Sequence, residues 1–146
     1  MKSIAKQALE PYRFVKNTLN IDVENEKIIF KKKPSINDYQ YDILDYVFNH
    51  REEDENHAIT CNLKWLAKYL TKKHNQSFTP EKTLELISSM QNASFHVVID
   101  GEDQRLIQHI FSYIGKPILQ IKKYYKVQFR FTDSVFDEFM RTMKSK

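Results

Sequence analysis

The sequence predicts an α+β domain, and three observations carry that expectation. Two short amphipathic segments follow one another between residues 63 and 92, each with apolar residues at helical spacing. The stretch Phe95–Phe131 then reads as strands, and its end alternates: Tyr125, Val127, Phe129 and Phe131 point one way, Tyr124, Lys126, Gln128 and Arg130 the other. It carries six Lys or Arg and no Asp or Glu from Arg105 onward, and it runs into a last amphipathic helix. This is the order of a winged helix, a helix-turn-helix with an antiparallel β-hairpin wing, here with an N-terminal extension and a C-terminal helix. Residues 1–34 read as the extension, and 35–146 as the winged-helix domain.

Composition bounds the function. A chain of 146 residues with 41% hydrophobic residues suits one domain with a real core. Cys61 is the sole cysteine, which excludes an intrachain disulfide and fits a reducing compartment. No apolar run approaches the roughly 20 residues that span a bilayer. The first residues, MKSIAKQALEPYR, lack a signal-peptide core. A cytoplasmic protein is expected, without membrane partner. The net charge is +4, unevenly spread: residues 35–58 hold one basic and seven acidic side chains, whereas 105–131 is wholly basic. A segregated basic segment steers a polyanion towards one surface, although surface strands also carry Lys for solubility and edge protection.

Taken in order, Ile4, Ala8, Tyr12, Val15 and Leu19 fall near helical spacing, but Pro11 argues against one continuous helix. Lys27–Lys32 is a short strand candidate, and Lys31, Lys32, Lys33 and Pro34 form a basic connector. Ser35-Ile36-Asn37-Asp38 offers N-cap chemistry and an acidic first turn for a helix over about 37–50, with Ile36, Tyr39, Ile43, Leu44, Val47 and Phe48 as its apolar stripe. Residues 51–57, REEDENH, read as a polar loop. His50 and His57 flank its carboxylates, but the spacing fits no metal-ligand pattern, and a solvated turn is the preferred reading. Ala58–Cys61 is a brief strand, and Asn62 caps a helix that buries Leu63, Leu66, Ala67 and Leu70. Trp65 and Tyr69 fall on its second face, read as packing on a neighbouring helix or sheet rather than as a base-stacking platform. Thr79, Pro80 and Glu81 start a second helix, expected to reach about Asn92 with Leu84, Leu86, Ile87 and Met90 buried.

If that second helix entered a major groove, its outer face would hold Glu81, Lys82, Glu85, Ser88, Ser89 and Asn92. Two carboxylates against one ammonium oppose phosphates, so it reads as a weak sequence reader, with Lys82, Ser89 and Asn92 as candidate contacts. Further on, Phe95, Val97 and Ile99 share a face, and residues 101–103 turn the chain. Leu106, Ile110 and Ile114 share one face of a following strand. The hairpin reverses either at Gly115-Lys116-Pro117 or at Ile121-Lys122-Lys123, and either tip presents lysine. Lys122, Lys123, Lys126 and Arg130 are thus candidate DNA contacts. Thr132, Asp133 and Ser134 cap the last helix, whose stripe is Val135, Phe136, Phe139, Met140 and Met143.

No phosphate loop, dinucleotide glycine pattern, nucleophile elbow or HExxH occurs, and Tyr124 and Tyr125 lack the metal or basic cluster of a DNA-nicking site. No enzymatic activity, cofactor, metal or small-molecule substrate is expected.

The order SINDYQYDILDYVF, ITCNLKWLAKYL, TPEKTLELISSMQNASFHVV, RLIQHIFSYI and YYKVQFRFTDSVFDEFM resembles the N-terminal winged-helix domain of plasmid replication initiator proteins, which bind repeated origin sequences of theta-replicating plasmids. The likeness covers about residues 35–143 and lies in the pattern of apolar positions. It implies a domain that dimerises and contacts mainly the DNA backbone, while a second winged helix reads most of the sequence; 146 residues hold one such domain. The expected partners are double-stranded DNA, as origin repeats or an operator, and a second copy of the chain. Two other readings stand beside it: a dimerisation or protein-interaction winged helix without DNA binding, and a free-standing winged-helix transcriptional regulator.

Overall fold

Local capping decides where this chain turns. The computed structural model describes residues 3–51, 57–100, 105–115 and 126–145. Pro11 divides the first helical stretch into α1, Ile4–Ala8, and α2, Pro11–Thr18. Pro11 sits at the first helical position, and the Glu10 carboxylate accepts from the amides of Tyr12 (3.3 Å) and Arg13 (2.8 Å). Strand β1 follows at Ile28–Lys32. Helix α3, Asp38–Asn49, starts from a reciprocal cap: Gln40 N donates to Asn37 Oδ1 at 2.9 Å, and Asn37 N donates to Gln40 Oε1 at 2.8 Å.

Strand β2, Ala58–Asn62, ends on the residue that caps α4, Leu63–His74. Asn75 then closes α4 in the left-handed conformation, φ 52°. Helix α5, Pro80–Ser88, begins with Thr79 accepting from Lys82 N at 3.1 Å. It stops short of the expected Asn92. In a continuing helix the Leu86 carbonyl would receive the Met90 amide, but it accepts from Gln40 Nε2 (3.0 Å) and Ser89 Oγ (2.9 Å) instead. The Met90 amide turns to Ile87 O at 3.0 Å, and residues 89–92 leave the helix in tight turns.

Strands β3 (Ser94–Ile99), β4 (Arg105–His109), β5 (Phe111–Gly115) and β6 (Lys126–Phe131) precede α6, Asp133–Lys144. They form two antiparallel three-stranded sheets with orders β1-β3-β4 and β2-β6-β5. The single strand expected to carry Leu106, Ile110 and Ile114 is therefore two strands. At Ile110 the chain bends from one sheet to the other, its N–H donating to Ala93 O (3.0 Å) and its carbonyl accepting from Thr132 N (3.1 Å). Ile110 and Phe111 are buried in succession, a break of phase that a strict two-residue alternation does not allow. Thr132 is the N-cap of α6 by position, but its hydroxyl makes no cap bond; it donates to His109 O at 2.7 Å and fastens α6 to the bend.

One buried cluster unites the chain from Ala5 to Phe139. Residues of α1 and α2 belong to it: Phe14 stacks on Phe95 with ring centroids 4.4 Å apart and planes at 12°. Helix α6 lies under α1 and α2, burying Val135 and Phe139 and also Glu138. That carboxylate receives Asn17 Nδ2 at 3.2 Å, faces Arg13 Nε at 3.6 Å and pairs with Arg141. A buried charge survives only with such partners. The architecture is thus α+β with two small antiparallel sheets. Among the described residues, no helix is long and apolar enough to cross a membrane.

Candidate nucleic-acid interface

The residues singled out from the sequence fall in separate places. Strand β6 is the middle strand of its sheet, and its inward residues Val127, Phe129 and Phe131 are buried. Alternation turns Lys126, Gln128 and Arg130 to the other face. Lys126 stands opposite Asn62, Gln128 opposite Thr60 and Gly115, and Arg130 opposite Ala58 and Tyr113. The Tyr113 hydroxyl donates to Gln128 Oε1 and fixes the amide between the two cations. At about 3.3 Å per residue, Lys126 and Arg130 are about 13 Å apart along the strand. None of these sheet residues is acidic; Asp133, in the recess beside Arg130, is bonded to His57 Nδ1 at 3.0 Å. Lys122 and Lys123, with the reversal of the hairpin, lie outside the described residues, as do Tyr124 and Tyr125.

On α5, Lys82 is exposed, its ammonium 4.7 Å from the centre of the Phe78 ring. Asn92 is exposed in the turn after the helix. Ser89 is exposed as well. Its hydroxyl donates to Leu86 O and accepts from Gln40 Nε2 at 2.6 Å, which spends its one donor on ending the helix. With Glu81 and Glu85 exposed beside Lys82, α5 presents little that attracts phosphate.

Helix α4 holds what the sequence reading missed. Trp65 does not pack inward but is 65% exposed. Lys64, Lys68 and Lys72 are exposed around it, at i−1, i+3 and i+7. Tyr69, at i+4, does pack as expected, its ring 4.8 Å from that of Tyr46. Together Tyr46, Trp65, Lys68, Tyr69 and Lys72 line an open groove of about 420 Å³. The signal was legible: with Leu63, Leu66, Ala67 and Leu70 inward, Trp65 and Lys72 fall almost opposite at 100° per residue. Hydrophobicity alone argued for burying the indole, yet a helix has one inward stripe.

No protein-family model matches this chain, and neither a curated protein nor a solved structure does. The geometry therefore carries the functional argument alone.

Elsewhere, the described acidic side chains of α3 are paired within the fold. A groove of about 780 Å³ between α1 and α3 is lined by Asp38, Asp42 and Asp45, each already held. Asp38 bonds Lys6 at 2.8 Å, Asp42 bonds Lys73 at 2.8 Å and His74 at 2.6 Å, and Asp45 accepts from Ala5 N at 2.8 Å. The Lys6 bond holds the Asp38 carboxyl below its usual range, and the Asp42 bond raises the Lys73 ammonium. Among the described residues, no three His, Cys, Asp or Glu side chains gather as a metal site. Of the polar loop flanked by His50 and His57, residues 52–56 lie outside the described residues. His57 stacks on Phe136 with centroids 4.1 Å apart.

Proposed function

We propose that residues 35–146 are a winged-helix domain that binds duplex DNA and dimerises, as expected of the N-terminal domain of a plasmid replication initiator, with residues 1–34 as an extension bracing it. The observation that carries this reading is the β2-β6-β5 sheet, in which β2 follows α3 and the β5/β6 pair returns to it after α4, α5 and two strands of the other sheet, with Lys126 and Arg130 on the outward face of its middle strand. A helix, a strand, two helices and an antiparallel strand pair returning to the first strand follow the order expected of a winged helix, with β3 and β4 of the other sheet inserted before the pair. The hairpin's cations suit phosphate oxygens, which fix register without reading bases. The acidic outer face of α5 suits a domain that leaves base reading elsewhere, and disfavours a free-standing regulator.

Dimerisation is supported by β4. Among the described residues it is an edge strand of its sheet, with Ile107 51% exposed, so it offers a second copy a ladder and an apolar contact to extend. The same edge favours the second reading, a dimerisation module without DNA binding. Sedimentation would then show a dimer while labelled duplex stays unbound at low salt.

The test is an anisotropy titration of duplex across salt concentrations. The double variant Lys126→Ala/Arg130→Ala should bind more weakly, with a log–log salt slope shallower by about 1.8 if each side chain neutralises one phosphate. Unchanged affinity and slope would remove β6 from the interface.

A further inference from the structure

The exposed stripe of α4 has no part in the hairpin contact. Its lysines stand at i, i+4 and i+8, so they rise along the helix in steps of about 6 Å, a spacing comparable with that of successive phosphates along a nucleic-acid strand. Among the described residues none of the three takes part in an ion pair, whereas their neighbour Lys73 is bonded to Asp42. The indole they surround is 65% exposed, a costly way to carry an aromatic ring unless something covers it. Among the described residues, no carboxylate lines the groove that Trp65 shares with Tyr46, Lys68, Tyr69 and Lys72.

From this juxtaposition we infer that the α4 stripe is a binding site for single-stranded nucleic acid, with Trp65 stacking on an unpaired base and Lys64, Lys68 and Lys72 tracking the backbone. Charge complementarity selects a polyanion, and the indole selects one with accessible base faces. A duplex offers base edges in its grooves and keeps the faces stacked, so it matches the lysines but not the indole. This site goes beyond the proposed duplex contact and lies on a different element.

The chain contains one tryptophan, so its emission reports on this site. Full-length protein is titrated with labelled oligothymidylate, following Trp emission and probe anisotropy together. The expected result is saturable quenching that tracks binding. Trp65→Ala should weaken single-strand affinity by about tenfold, and Trp65→Phe should retain most of it. Lys68→Ala/Lys72→Ala should lower the salt slope by about 1.4. The inference is overturned if the oligonucleotide binds without quenching, if Trp65→Ala binds it normally, or if duplex or polyglutamate quenches equally. The two proposals fail separately. Intact duplex binding without single-strand quenching sinks only this one. Quenching by single strand, with duplex binding unaffected in Lys126→Ala/Arg130→Ala, sinks only the hairpin contact.

Discussion

Phe14→Ala asks whether the residues before β1 are part of the core or a detachable arm. Phe14 is fully buried, and its ring lies flat on Phe95 at 4.4 Å, in the strand that joins β1 to β4. Truncation removes the transfer energy of the ring and leaves a cavity against β3, for a total of about 3–5 kcal/mol. The lost aromatic pair accounts for about 1 kcal/mol of that. A domain of this size is stable by about 5–15 kcal/mol, so about a fifth or more is at stake. At a urea slope of about 2 kcal/mol per molar, the midpoint should fall by about 2 M with the slope unchanged. The melting temperature should drop by about 10 °C. Circular dichroism against urea measures the first, and calorimetry the second. Tyr12→Ala is the control: that ring is 52% exposed and meets Phe30 edge-on at 5.2 Å, so its loss should cost about 1 kcal/mol or less. An unchanged midpoint in Phe14→Ala would refute the shared core. A wild-type transition in two steps, with the first missing in the variant, would show a separately melting N-terminal segment.

Two further outcomes follow from buried or crowded titrating groups. Burial pushes the Cys61 thiol up to about 12 from 9.0, so at pH 8 its alkylation by iodoacetamide should run about a thousandfold slower in native than in unfolded protein; a rate within tenfold of the unfolded one would contradict that burial. Partial burial, with Lys32, Arg105 and His109 nearby, holds His96 below its ordinary 6.5. Its folded pKa is depressed, so the unfolded chain binds the proton first and stability falls as pH drops through 6.5 and below. His96→Gln should flatten the decline in melting temperature between pH 7 and 5, and a profile identical to the native one would remove His96 as the cause.

The helices were legible because their ends are written in side chains: Asn37, Asn62 and Thr79 each cap the helix they precede, and Pro11 splits the one it interrupts. The C-terminal end of α5 was not, because it depends on Gln40, a residue 46 positions away from the carbonyl it captures. The exchange of sheets at Ile110 was hidden for a similar reason. Leu106, Ile110 and Ile114 keep one period across the bend, and only the partners in β3 and β6 show that two sheets share it. Of the candidate contacts, Lys126 and Arg130 followed from strand alternation and do share a face. Trp65 was misplaced, and the bonds of Ser89 went unseen, because a side chain's hydrogen bonds and exposure are tertiary facts. A serine at a helix end is claimed by whichever donor is nearest, and an indole is buried only where a partner has room for it.

The same distinction explains why the uneven charge along the chain becomes a directed one in the fold. The acidic residues of α3 face α1 and the end of α4, where Lys6, Lys73, His74 and the Ala5 amide hold them. Glu138 is likewise enclosed between Arg13 and Arg141. The Lys6–Asp38 and Lys73–Asp42 pairs are nearly neutral at a distance beyond about one Debye length of 8–10 Å. Among the described residues, Lys64, Lys68 and Lys72 on α4 and Lys126 and Arg130 on β6 are among the cations outside these pairs, and they strengthen the positive field on their own faces. A net charge of +4 understates what a polyanion meets on approaching either one. Polyanion binding should accordingly be more sensitive to salt than that small net charge implies, with a slope set by the lysines and arginines that touch phosphate.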